Sequence, residues 1–153
     1  MNFRKAELKD KDFILNANKE INDLSGLTDS SFERRIDKDL FEDEIFKSII
    51  AEIDGNIAGM ILYSYVYWAN CGKGIYLSQA YVKDEYRGQG VYKALLKELE
   101  QRETSCNFIT DLVGKDNSVM QRTLDKLNFK SSDLITYYRM IEKWNVKFCV
   151  TIL

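Results

Sequence analysis

The spacing of apolar residues changes period several times along the chain. Residues 2–8, NFRKAEL, alternate weakly and predict a first strand. From Asp10 onward Phe13, Ile14, Ala17 and Ile21 recur at helical spacings, and Gly26 supplies a left-handed stop. TDSSFERRIDKDLFEDE predicts a second short helix, with Ser30 or Ser31 as N-cap and Glu33 or Arg34 in its first turn. From Phe46 the pattern alternates: KSIIAEID and IAGMILYSYVYW flank Asp54-Gly55-Asn56 and predict a hairpin. GIYLSQAYVK is a further strand. The helix after Arg87 runs to about Glu103, with Val91, Leu95, Leu96 and Leu99 inward and Lys93, Lys97 and Glu100 outward. NFITDLV predicts a strand, and NSVMQRTLDKL a helix whose apolar face holds Val119, Met120, Leu124 and Leu127. DLITYYRMIEKW returns to strand, and residues 145–153, NVKFCVTIL, add a strand or pack as an arm.

This order predicts an α/β fold in a single domain over residues 1–153. An antiparallel meander forms its middle, and a βαβ unit its second half. Composition narrows the function. Hydrophobic residues make up 45% of 153 residues, ordinary globular usage, and the net charge of −2 with no basic stripe argues against nucleic acid as a partner. No apolar run approaches the roughly 20 residues of a membrane span, and Asn2, Arg4, Lys5 and Glu7 interrupt any leader-like stretch. Cys71, Cys106 and Cys149 show no CxxC spacing and read as reduced thiols of a cytoplasmic protein. The chain has no histidine, which removes Ser/His/Asp and Cys/His catalysis and the commonest zinc ligand, so no metal is expected.

Between the strand ending at Val82 and the following helix stands Arg87-Gly88-Gln89-Gly90. A helix begins with unsatisfied N–H groups and the positive end of its dipole. Glycines just before it let main-chain donors close on an anion, and Arg87 adds a cation beside an oligophosphate. No Gly-Lys-Ser/Thr makes this a nucleotide-hydrolysing loop, and no third glycine with an acidic ribose anchor makes it a dinucleotide site.

The stretch Arg87-Gly88-Gln89-Gly90-Val91, set in this element order, resembles the pyrophosphate loop of the GNAT superfamily of acetyl-CoA-dependent N-acyltransferases, and the likeness extends over most of the chain. YSYVYWANCGKGIYLSQAYVKDEYRGQG is similar, more loosely, to the diamine acetyltransferase branch. The resemblance implies a mixed, mostly antiparallel sheet flanked by helices and acetyl-CoA as cosubstrate. Backbone N–H groups of Gly88, Gln89, Gly90, Val91 and Tyr92 would hold its phosphates. Main-chain groups of Tyr81 and Val82 would take the pantetheine arm like an added strand. Asn117 would contact the coenzyme near its pantetheine end. An amine would attack the thioester directly, after a base removes its proton and with an acid for the leaving thiolate.

Three residues depart from that pattern. Tyr92 replaces a small residue, and its spacing to Leu96 and Leu99 places the ring along the core side of the helix. Leu124 stands where the family carries its general-acid tyrosine, seven residues beyond the Asn117 position, which leaves Tyr137 or Tyr138 as substitutes. Ser78 and Gln79 replace the acidic pair of the diamine branch, against a polyamine substrate. Asp111, inside an apolar strand on the face of Val113, needs a partner or a role, and it is the candidate base or amine anchor. Glu52 is a weaker candidate, for orienting a water, and Asp29 and Glu33 lie on acceptor-side helices. YSYVYW either lines an acceptor pocket, stacking on a cation, or is strand core and surface. The acceptor would be a small amine or a protein amino group; an exposed tail strand would favour a homodimer. A binding module that senses acyl-CoA without turnover is the competing reading.

Overall fold

A computed structural model describes residues 1–25 and 31–132; Gly26, Asp29, Ser30, Tyr137, Tyr138 and the strands expected over 133–144 and 145–153 lie outside the described residues. Among the described residues, strands β1 (Asn2–Arg4), β2 (Lys47–Ile53), β3 (Asn56–Trp68), β4 (Gly72–Val82) and β5 (Ile109–Asp111) form one five-stranded sheet in sequence order. All neighbours are antiparallel except β4 and β5, which are parallel. Helices α1 (Lys11–Ser25), α2 (Ser31–Ile36), α3 (Val91–Arg102) and α4 (Ser118–Lys126) flank it. The result is the expected mixed, mostly antiparallel sheet with β4–α3–β5 as its βαβ unit.

Strand alternation gives the sheet two apolar faces. On one, Ile49, Ala51, Ile61, Tyr63, Ile75 and Leu77 meet Val91, Leu95, Leu96 and Leu99 of α3, the inward residues expected from their spacing. On the other, Ile50, Met60 and Leu62 meet Ile14 and Ala17 of α1 and Ile36 of α2. The β2–β3 hairpin turns through Asp54 and Gly55, whose φ values of +51° and +79° match the twist of the flanking strands.

Several boundaries differ from the expectation. Strand β1 stops at Arg4 because Asp10 folds the chain back: its carboxylate accepts from the Glu7 N–H at 2.8 Å and closes a tight turn over Leu8–Asp10 before α1. The second helix continues past Ile36 as a π-helical segment over Asp37–Glu42, with Asp39 and Leu40 buried. In α4 only Leu124 is buried, while Met120 and Leu127 are half-buried and Val119 is exposed, so the inward face is narrower than its apolar residues suggest.

Arg4 ties the sheet edge to the start of α1. Its guanidinium donates to both carboxylate oxygens of buried Asp10, at 2.6 and 2.9 Å, and to Glu52 at 2.7 Å. That pair holds Asp10 below its ordinary carboxylate range, the Arg4 hydrogen bonds outweighing the cost of burial. A carboxyl depressed in the folded state contributes stability above its unfolded value and loses it as pH falls through the folded one. Asp10→Asn should therefore cost about 2–3 kcal/mol at neutral pH in urea unfolding and flatten the acid limb of the stability profile. Wild-type stability at neutral pH would show that the ion pair contributes nothing.

Candidate active site at the end of strand β4

The connection from β4 to α3 is built by short-range bonds. A tight turn over Asp84–Tyr86 returns the chain, with Tyr86 N–H on Lys83 O at 2.9 Å and Arg87 N–H on Asp84 O at 3.1 Å. Gly88 and Gly90 then take φ of +74° and +80°, and nothing lies within 4 Å of a Cβ built on either. Such φ values explain the two glycines, since any L side chain there strains the backbone. Steric room does not enter, because both positions are open.

Gly90 is the N-cap of α3. It supplies no side-chain cap, and the first turn of α3 carries no acidic residue. The first backbone bond of the helix is Ala94 N–H to Gly90 O, at 3.0 Å. The N–H groups of Val91, Tyr92 and Lys93 precede any i−4 carbonyl within the helix. Core packing of Val91 and Leu95 fixes where this end points. The arrangement is a positive helix end with neither a capping side chain nor a nearby first-turn carboxylate, and this suits an anion.

Arg87 and Gln89 are tied to the same turn. Arg87 Nε donates to Val82 O at 3.0 Å and its guanidinium pairs with Asp84 at 2.6 Å, while Gln89 Nε2 donates to Glu85 O at 2.8 Å. Arg87 is half exposed, so Asp84 holds it only by a weak surface ion pair.

Strand β4 outruns its parallel partner. Pairing with β5 ends at Leu77 opposite Asp111, whereas β4 continues to Val82. The register with β3 also jumps: Tyr63 faces Leu77 and Leu62 faces Gln79, so Ser78 is an inserted residue, a β-bulge. Ile75 and Leu77 point to the α3 face, as do Ala80 and Val82 beyond the bulge. Gln79 hydrogen-bonds Asn18 of α1 and Tyr81 packs on the α1 side, so Ser78 and Gln79 fall together on the α1 face. Ser78 Oγ and Gln79 Oε1 are both buried without a hydrogen-bond partner among the described residues. Tyr81 is held by Glu20, which accepts from its hydroxyl at 2.7 Å, and by Phe13, edge-on at 6.0 Å. Burial, then Glu20, push its phenol up to about 12.

Asp111 ends β5 on the same face as Ile109, which packs against the α3 cluster. Burial pushes its carboxyl up to about 6, opposed by the Leu112 N–H. No side chain among the described residues bonds or ion-pairs with it. Tyr92 packs against the α3-face cluster, as its spacing predicts, and its hydroxyl is buried without a partner among the described residues. Asn117 is the N-cap of α4: its Oδ1 accepts from Met120 N–H at 3.0 Å, leaving the side-chain NH₂ outside that bond. Leu124 is core, only 8% exposed.

The secondary candidates are engaged elsewhere. Glu52 is paired with Arg4 at 2.7 Å, and Glu33 is exposed. In the aromatic stretch Tyr63 and Tyr65 each donate to Glu103 at 2.7 Å, and Lys73 lies 3.6 Å over the Tyr65 ring, so that face already holds a cation of the protein. Tyr67 is exposed and Trp68 stacks on Phe108 at 4.5 Å. Among the described residues no His/Cys/Asp/Glu group could hold a metal ion, and no helix is long and apolar enough to cross a membrane. The bulge and the buried Tyr92 hydroxyl are the features that sequence reading missed. Two consecutive polar residues in an alternating strand were the signal for the first.

Comparison with known proteins gives a consistent result. The model of the acetyltransferase (GNAT) family matches residues 13–129. An acetyltransferase of Pectobacterium atrosepticum is 31% identical over 115 residues, covering 72% of this chain and 73% of the relative. A possible acetyltransferase from Clostridium difficile 630 has a similar structure, with a TM-score of 0.76 at 21% identity over 92% of this chain and 98% of that one. An acetyltransferase structure from Clostridium acetobutylicum, solved with acetyl-CoA, gives 0.72 at 18% identity over 90% and 95%.

The left-handed turn makes a prediction of its own. Gly90→Val should destabilise the fold by about 1–2 kcal/mol through backbone strain, with Gly90→Asn costing less because asparagine tolerates this conformation. Urea unfolding of the two variants measures it. Equal stability of Gly90→Val and wild type would mean that the turn does not need its positive φ.

Proposed function

The chain belongs to the GNAT family of acetyltransferases, which move acetyl groups to amines, and on that premise we propose that it transfers acetyl from acetyl-CoA to a primary amine by direct attack. The observation that carries this reading is the uncapped, acid-free start of α3, set on two left-handed glycines where β4 runs beyond its β5 partner.

The residues present fit the coenzyme. N–H groups of Gly88, Gln89, Gly90, Val91 and Tyr92 bind the diphosphate, and Arg87 adds a positive charge once it exchanges the exposed Asp84 for phosphate. The outer edge of β4 at Tyr81 and Val82 takes the arm like an added strand, alongside the Arg87 bond to Val82 O. Asn117 reaches the arm through its side-chain NH₂, since its oxygen caps α4. Bound acetyl-CoA supplies an acetyl group activated as a thioester.

The acceptor amine enters from the α1 face. Ser78 Oγ and Gln79 Oε1 are buried oxygens awaiting donors, and an amine brings N–H groups to both. Neither is charged, which suits one amino group, on a small molecule or a protein, better than a multiply charged polyamine. An alkylammonium must lose a proton before it attacks, and Asp111, on the α3 face, takes it through a water across the opening where β4 and β5 part. A carboxyl raised to about 6 is ionised at neutral pH yet far more basic than an exposed one. Tyr137 or Tyr138 supplies the proton to the leaving sulfur, because Leu124 cannot. Buried Leu124 is also the observation that favours the second reading, an acyl-CoA sensor without turnover.

Thiol release from acetyl-CoA, screened against a panel of amines, tests the reading. Amine-dependent release is expected. Protection of the fold by acetyl-CoA with no release under any amine would select the sensor. For a responsive amine, kcat/KM should rise with pH through about 6, because Asp111 works only when ionised. Asp111→Asn should lower kcat by about 100-fold, remove that limb and leave acetyl-CoA affinity within about twofold. A variant with the wild-type profile would exclude Asp111 as the base.

A further inference from the structure

Tyr92 carries a group that diphosphate binding does not use. That binding needs only its main-chain N–H, while the side chain turns inward onto the cluster holding Leu77, Val91 and Leu95. The hydroxyl is buried and has no partner among the described residues, although buried phenols ordinarily find one. Burial and then the Asp111 carboxylate hold the phenol above its ordinary range, so it stays protonated and acts as a donor. Asp111 lies on the α3 face of β5, opposite Leu77, where β4 and β5 part. The hydroxyl and that carboxylate thus share one side of the opening.

These surroundings select what the hydroxyl can take. An anionic group would face Asp111 and be repelled, so a second phosphate is disfavoured. A neutral carbonyl accepts a hydrogen bond without that cost. The arm of coenzyme A carries two amides and no charge, and the outer edge of β4 beyond Leu77, next to Asp111, is left without a β5 partner.

We propose that the Tyr92 hydroxyl donates a hydrogen bond to an amide carbonyl of the coenzyme's arm. The residue opening α3 then grips the ligand twice, through its N–H on the diphosphate and through its hydroxyl on the arm. The substitution of a bulky tyrosine in the first turn becomes a specificity-determining feature, favouring the complete coenzyme over its nucleotide half. This inference rests on the coenzyme-binding reading above.

Calorimetric titration of wild type and Tyr92→Phe separates the two. The ligands are acetyl-CoA and its nucleotide half, adenosine with a three-prime phosphate and a five-prime diphosphate. Tyr92→Phe keeps the ring and removes an unpartnered hydroxyl, so its thermal unfolding in the absence of ligand should match or exceed that of wild type. Wild type should bind both ligands; the variant should bind acetyl-CoA about tenfold more weakly and the nucleotide half unchanged. Equal affinity of both proteins for acetyl-CoA would overturn the proposal and leave the coenzyme reading intact. Equal weakening toward both ligands would also overturn it, by tracing the effect to the helix start. Wild type binding neither ligand would remove the coenzyme reading and this inference with it.

Discussion

Helix α3 lies with Val91, Leu95, Leu96 and Leu99 against the sheet, and that packing decides where its first turn points. A helix end is a weak electrostatic feature unless something rigid aims it. Here the core aims it, and the left-handed glycines let the chain enter without a side-chain cap. An exposed loop with the same residues would have the same donors and no fixed direction for them. Much of the site's character follows from this constraint: a positive, uncompensated end held at the edge of β4, reached through a turn that only glycine adopts without strain.

The second constraint is the bulge at Ser78. Regular alternation would have kept every polar residue of β4 on a predictable face. The inserted residue shifts the register, brings Ser78 and Gln79 to the same face, and returns Ala80 and Val82 to the α3 side. Among the described residues, the buried side-chain polar atoms without partners are two oxygens on the α1 face, at Ser78 and Gln79, and the Tyr92 hydroxyl on the other, which it shares with the Asp111 carboxyl. Buried polar groups left unmatched are costly, and their concentration beside one opening is what the proposed ligand site rests on.

What the sequence disclosed, and what it hid, follows from the same physics. The inward residues of α3, the hairpin at Asp54-Gly55 and the βαβ order were legible because each rests on a local period or a local φ preference. Val119 was misread because apolar character reports a residue's preference, whereas the neighbouring surface decides whether it is covered. The π-helical segment at Asp37–Glu42 leaves no distinct periodic trace over so few residues. Strand β5 occupies only the centre of NFITDLV, since its pairing with β4 stops at Asp111. The engagement of Tyr63 and Tyr65 with Glu103 joins residues far apart in the chain, so no local pattern announces it. The glycine turn was the most readable part of the site, and the hydroxyl of Tyr92 the least, because the lack of a hydrogen-bond partner is a property of three-dimensional surroundings alone.

The central claim is that main-chain amides at the start of α3 grip an oligophosphate. Backbone amide resonances of the isotopically labelled protein, followed during titration with acetyl-CoA, test it most directly. The account predicts that the N–H signals of Gly88, Gly90 and Val91 move downfield together and by more than those elsewhere in α3, as each gains a charged acceptor. Saturable binding that leaves these three signals in place while others shift would contradict it.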